Sequence, residues 1–148
     1  MNINRLKWAE RFYSLALEVA TWSKDPKAKV GAVLVSPCTR QFSFGYNGFP
    51  QGIKDSETRL EDTETKLALT VHAELNAILN ARTNLTGWSL VTTKAPCLDC
   101  AKAIVQAGIR EVICPPIKET LSNWGSSQAK AFELLNEANI MITIIEEE

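Results

Sequence analysis

Apolar residues recur at three- and four-residue intervals near the start of the chain: Ala9, Phe12, Ala16, Val19 and Ala20. That spacing lines one face of a helix and predicts one over residues 6–22. Lys24-Asp25-Pro26 ends it, because the residue before a proline avoids helical angles. Residues 30–35 form a short, β-branched run that predicts a strand. Ser36-Pro37-Cys38-Thr39 turns the chain, and residues 41–45 return antiparallel. A loop holding Asn47-Gly48-Phe49-Pro50-Gln51-Gly52 follows, then a polar stretch to about Lys66. Helices are predicted over 72–81, 96–108 and 128–139, with strands over 89–93, 111–114 and 140–145. Gly108 is a good stop for the second of these helices, and Pro96 a good start.

The predicted order is α-β-β-α-β-α-β-α-β. Strands that alternate with helices imply right-handed crossovers and parallel pairing in the second half. The first two strands make an antiparallel hairpin. The expected fold class is α/β: three layers, α/β/α, around a mixed five-stranded sheet. The chain has 148 residues, 45% of them hydrophobic, and no Gly/Pro/Ser linker or repeat. One domain over residues 1–148 is the simplest reading.

Charge narrows the partners. The formal net charge is −1, with Lys and Arg scattered. A protein that holds a long nucleic acid usually carries a basic patch. A small-molecule partner fits better, with no polymeric nucleic acid. No signal-peptide pattern opens the chain and no apolar run approaches a membrane span. The expected location is cytoplasmic, where Cys-x-x-Cys points to metal or redox chemistry rather than a disulfide.

Two segments carry candidate chemistry: Val71-His72-Ala73-Glu74-Leu75-Asn76-Ala77 and Ala95-Pro96-Cys97-Leu98-Asp99-Cys100-Ala101. His72 is the one histidine in the chain. Each segment lies at a predicted helix start, where the partial positive charge favours thiolates. Cys97 and Cys100 are three apart and share a helical face. Two thiolates and one imidazole make three zinc ligands, and a catalytic zinc keeps a fourth position for water. At a first helical turn, His72 and Glu74 can both project past the helix end. Taken singly, these residues have plainer readings: a helix cap, a redox pair, a solvated glutamate. Together they match H-x-E followed by P-C-x-x-C, the signature of zinc deaminases.

On those motifs the chain resembles the cytidine deaminase superfamily, and specifically its deoxycytidylate (dCMP) branch. The resemblance runs from about Trp22 to at least Val112. It includes Ser23-Lys24-Asp25-Pro26, Val30-Gly31-Ala32, Gly45-Tyr46-Asn47-Gly48-Phe49-Pro50, the H-A-E segment and Pro96-Cys97-Leu98-Asp99-Cys100-Ala101-Lys102. It implies one Zn2+ per subunit on His72, Cys97 and Cys100, with Glu74 as proton shuttle. A zinc-bound hydroxide would attack C4 of dCMP, giving dUMP for thymidylate synthesis and ammonia. The backbone at Ala73 and Ala95 would hold the base edge. Asn47 would bond the deoxyribose, or else only tolerate left-handed turn angles. Ser23 and Lys24 are candidates for the phosphate.

The resemblance further implies a hexamer, activated by dCTP and inhibited by dTTP near Tyr46, Asn47, Gly48, Phe49 and Gly52. Mg2+ would accompany the triphosphate. Relatives carry a substrate-packing tyrosine after the fourth strand; here Trp124 is the nearest aromatic, in a substrate role or as plain core. Cys38 and Cys114 adjoin strands and read as buried small hydrophobes. A structural zinc module is the main rival, and needs Cys38 or Cys114 as fourth ligand. Among enzymes, dCTP, free-nucleoside and tRNA deaminases share the zinc core.

Overall fold

The computed structural model describes the backbone of residues 3–118 and 123–146, and the side chains of 4–118 and 126–146. In chain order the elements are α1 (Ile3–Ala20), β1 (Gly31–Val35), β2 (Phe42–Tyr46), α2 (Glu57–Glu61), α3 (Thr63–Leu69) and α4 (Ala73–Ala81). They continue with β3 (Ser89–Thr92), α5 (Leu98–Gln106), β4 (Glu111–Cys114), α6 (Asn123–Glu137) and β5 (Met141–Ile144). The strands form one five-stranded sheet in the order β2-β1-β3-β4-β5. β1 runs antiparallel to both β2 and β3. β3, β4 and β5 are parallel. This is the mixed sheet that the alternating pattern predicts.

Because strand side chains alternate, the central strands β1, β3 and β4 each serve two cores. Val33, Val35, Val91 and Ile113 meet Ala9, Tyr13, Ala16 and Val19 of α1 on one face. Ala32, Leu34, Leu90 and Val112 meet Ala77 of α4, Ile104 of α5 and Leu135 of α6 on the other. β1 and β4 are buried throughout, as central strands covered on both faces must be.

Two glycines let helices lie directly on the hairpin. A Cβ on Gly45 would sit 2.2 Å from the Ala73 carbonyl oxygen and 2.3 Å from the Ala77 nitrogen. A Cβ on Gly31 would sit 2.0 Å from the Ala16 oxygen. The α4 contact bears on function, because α4 starts the segment that carries Glu74. Ser43 donates to the Ala77 carbonyl, and Asn76 and Asn80 donate to the Tyr46 and Phe44 carbonyls of edge strand β2. Gly45→Ala should therefore destabilise the fold by about 3 kcal/mol or more, since backbone cannot yield as a side chain can. At 148 residues that is a fall in Tm of roughly 6–12 °C. Calorimetry checks it.

The polar stretch before Lys66 differs from its expected reading. It holds α2 and α3, capped by Ser56 and Asp62, whose side chains accept from the Arg59 and Thr65 amides. Neither helix presents an apolar stripe, which is why periodicity passes over them. Cys114 is buried in the core as expected, but Cys38 is exposed. It lies in the expected hairpin turn, which the core does not cover. The helix expected to open at Pro96 opens at Leu98, because Cys97 keeps extended angles as its cap. No described helix is long and apolar enough to cross a membrane.

Candidate active site

α4 and α5 each follow a sheet strand or bridge, and their starts converge. His72 caps α4 with φ −68° and ψ 152°. Cys97 caps α5 with φ −77° and ψ 171°. Extended angles at both caps turn these side chains off the helix flanks and toward each other. Cys97 Sγ lies 3.3 Å, and Cys100 Sγ 3.4 Å, from His72 Nδ1. All three donor atoms lie within 4.8 Å of one another. A tetrahedral zinc, with bonds of roughly 2.3 Å to sulfur and 2.05 Å to nitrogen, separates such donors by about 3.6 Å. The donor set and spacing fit zinc. Among the described residues no fourth His, Cys, Asp or Glu joins the group.

Glu74 stands beside the group in the first turn of α4 and is only 4% exposed. The Thr92 hydroxyl donates to its Oε1 at 2.9 Å, and the Cys100 thiol to its Oε2 at 3.4 Å. Thr92 ends β3, so the sheet itself aims the carboxylate. Burial pushes the Glu74 carboxyl up, against its own backbone N–H, the His72 charge and the Thr92 hydroxyl. A hydrogen bond with Cys100, aided by His72, outweighs burial and pulls Cys97 down to about 4. The same bond, then burial and the Glu74 charge, push Cys100 up. Cys97 in turn raises His72. Without metal the group thus favours negative charge on Cys97 and positive charge on His72. A bound dication would deprotonate both thiols.

A cavity of about 230 Å3 opens onto these residues. Its wall includes His72, Glu74 and Cys97, then Ala73 and Ala95, and Asn47. The Asn47 side chain is engaged on both ends: Oδ1 accepts from the Val30 amide, and Nδ2 donates to the Ala28 carbonyl. Its φ is not positive, so the left-handed reading of this residue fails. It holds the loop that forms the cavity's edge.

Ser23 and Lys24 lie outside this wall. The Ser23 hydroxyl donates to the Asn47 carbonyl and accepts from the Asp25 amide. Lys24 is exposed and paired with Asp55 at 3.0 Å. It lines an adjoining cavity of about 170 Å3 with Tyr46, Asn47, Gly48 and Phe49. Gly52 does not line that cavity. The Trp124 side chain lies outside the described residues.

Asp25, Lys66, Lys94 and Gln128 are among the wall residues that escaped the sequence reading. Lys66, on α3, is buried against Asp25 at 3.1 Å. Burial alone would raise the Asp25 carboxyl, but the Ala28 and Lys27 amides and the Lys66 ammonium hold it below its usual value. No local pattern joins two residues 41 positions apart. Lys94 carried a signal, since it directly precedes Ala95-Pro96-Cys97.

A three-donor group with no fourth protein ligand among the described residues, set beside a buried carboxylate and a cavity, has the layout of a catalytic metal centre rather than a structural one. Residues 6–115 match the family model described as the cytidine and deoxycytidylate deaminase zinc-binding region. The chain belongs to that family. It is 41% identical over 138 residues to an uncharacterized deaminase of Aliivibrio fischeri, covering 93% of this chain and 92% of that one. It is 42% identical over 114 residues to the Homo sapiens deoxycytidylate deaminase, covering 73% of this chain and 64% of that one. The aligned region thus spans just under two thirds of the human enzyme's length. Among solved structures, it superposes on the dCMP deaminase of cyanophage S-TIM5, crystallised with dCMP and dUMP, with a TM-score of 0.74. That match covers 98% of this chain and 99% of the phage chain at 22% identity, a likeness of fold.

Proposed function

We propose that this protein hydrolyses dCMP to dUMP and ammonia. The buried Glu74 carboxylate, held against the His72, Cys97 and Cys100 group inside the cavity, carries the reading. Zinc bound by those three residues supplies the Lewis acidity that makes water nucleophilic near neutral pH. Glu74 takes a proton from the attacking water and passes it to N3 of the ring. The C4–O bond forms, Glu74 takes the remaining proton from the new C4 hydroxyl and delivers it to the exocyclic nitrogen, and the C4–N bond breaks to leave C4=O and ammonia. Ala73 and Ala95 line the cavity at the two helix starts, where their backbone groups can hold the base edge. The names of the relatives called deoxycytidylate deaminase support dCMP as the substrate of this reading.

Two wall lysines suit an anionic substrate. The Lys94 charge bears on His72, which places it at the metal end. Lys66 is the candidate for the phosphate, with Ser23 and Lys24 behind it in the adjoining loop. Lys66→Met should raise KM for dCMP about tenfold, the cost of a charged hydrogen bond. KM for deoxycytidine should stay nearly unchanged. Equal losses on both substrates would leave Lys66 a purely structural role.

We extend the reading to regulation. dCTP with Mg2+ would activate, and dTTP inhibit, at the loop 46–52. Two observations support this placement. Tyr46, Asn47, Gly48 and Phe49 line their own cavity. Gly48 also bridges Val71, the residue before His72, through paired backbone bonds of 3.1 and 2.8 Å. Activity at subsaturating dCMP should fall when dTTP is added; equal rates would sink this part. A cytoplasmic hexamer making dUMP for thymidylate synthesis completes the proposal.

Parallel assays on dCMP, dCTP, deoxycytidine, cytidine and a tRNA hairpin test the substrate. The largest kcat/KM should fall on dCMP. A largest value on any of the others replaces dCMP with that substrate.

A further inference from the structure

Gln128 is a polar residue in the core, 5% exposed, and it lines the cavity with His72, Glu74, Ala95 and Cys97. Its Nε2 donates to the Ala95 carbonyl at 2.9 Å. Only the nitrogen end of an amide can donate, so a carbonyl partner fixes which way the group points. Oε1 is then the end left over. No described residue donates to it, and among the described residues no buried side-chain oxygen lacks a partner. Oε1 is therefore an acceptor that reaches the cavity surface. Its neighbour Ser127 accepts from the Leu98 amide at 3.0 Å. α6 thus grips the segment from Ala95 to Leu98 at two points, which holds the Gln128 amide in one orientation beside the metal ligands.

We infer that Gln128 reads the exocyclic amino group of the pyrimidine, accepting one of its N–H bonds at Oε1. This rests on the deamination reading and sharpens it. The amino group of the substrate carries two donors. The Ala95 carbonyl keeps a second lone pair, and Gln128 adds an acceptor next to it. Both therefore favour an amino substituent at C4. Hydrolysis replaces C4–NH2 with C4=O. The product then sets a carbonyl oxygen against the Gln128 oxygen, and two acceptors repel. Gln128 would bind substrate and help expel product.

Binding of dCMP and dUMP to the zinc-loaded Glu74→Gln protein, with turnover blocked, tests this with and without Gln128→Met. Methionine keeps the length and removes the acceptor. The dCMP Kd should weaken about tenfold, as expected for one lost hydrogen bond. The dUMP Kd should hold or tighten, so the preference for dCMP falls about tenfold. Zinc content should stay the same. Equal weakening of both ligands would make Gln128 a clamp on Ala95 and nothing more, and an unchanged ratio overturns the proposal equally. If Gln128→Met does not fold, Gln128→Asn withdraws the same acceptor by one methylene and should lower the same ratio. Failure of the deamination reading shows separately, as wild-type protein that releases no ammonia from dCMP.

Discussion

Glu74→Gln should keep its zinc and lose kcat by roughly two to four orders of magnitude. The size follows from what general acid–base catalysis contributes. The glutamine can still accept from Thr92 at its oxygen, so the hydrogen bond at 2.9 Å survives. The group also remains buried at the start of α4. What disappears is the capacity to take up and return a proton. Zinc stoichiometry should match the wild type, and dCMP binding should change by far less than kcat. Steady-state kinetics beside metal analysis separates these quantities. A variant that stays active would move the proton relay to another group.

Cys97→Ser should abolish both zinc retention and turnover. Loss of even an outer hydrogen-bond partner costs about 10–100-fold in metal affinity. Loss of a ligand should exceed that, so dialysed protein should hold almost no zinc. Cys97 is the right member to change, since its sulfur is the one already drawn toward the thiolate, at about 4. Cys38→Ser is the matched control. Cys38 sits exposed in the hairpin turn, outside the metal-donor group, so its loss should leave zinc and activity intact. Zinc release from that control would revive a structural, four-ligand centre.

What the sequence reveals depends on how local each feature is. β4 appears where its apolar run begins and ends, over Glu111–Cys114. His72, Glu74, Cys97 and Cys100 are legible because their chemistry sits in two short segments at helix starts. Lys66 is not, because its burial depends on Asp25, which only the folded loop brings near. The packing of Ser23 is hidden for a related reason. The residue stands beside a charged turn that suggests a phosphate contact, yet its hydroxyl is engaged with Asn47 and Asp25. Gln128 was visible only as the expected start of a helix that opens earlier, at Asn123. Its place in the cavity follows from how α6 packs on α5, which no local pattern encodes.

The most direct measurement is ammonia release from dCMP by one preparation assayed three ways: zinc-loaded, stripped by a chelator, and reloaded with zinc. Turnover that vanishes on stripping and returns on reloading, with one ammonia formed per dUMP, is the predicted result. Undiminished turnover in the stripped protein, or none from the zinc-loaded protein with and without dCTP, would contradict a zinc-dependent dCMP deaminase.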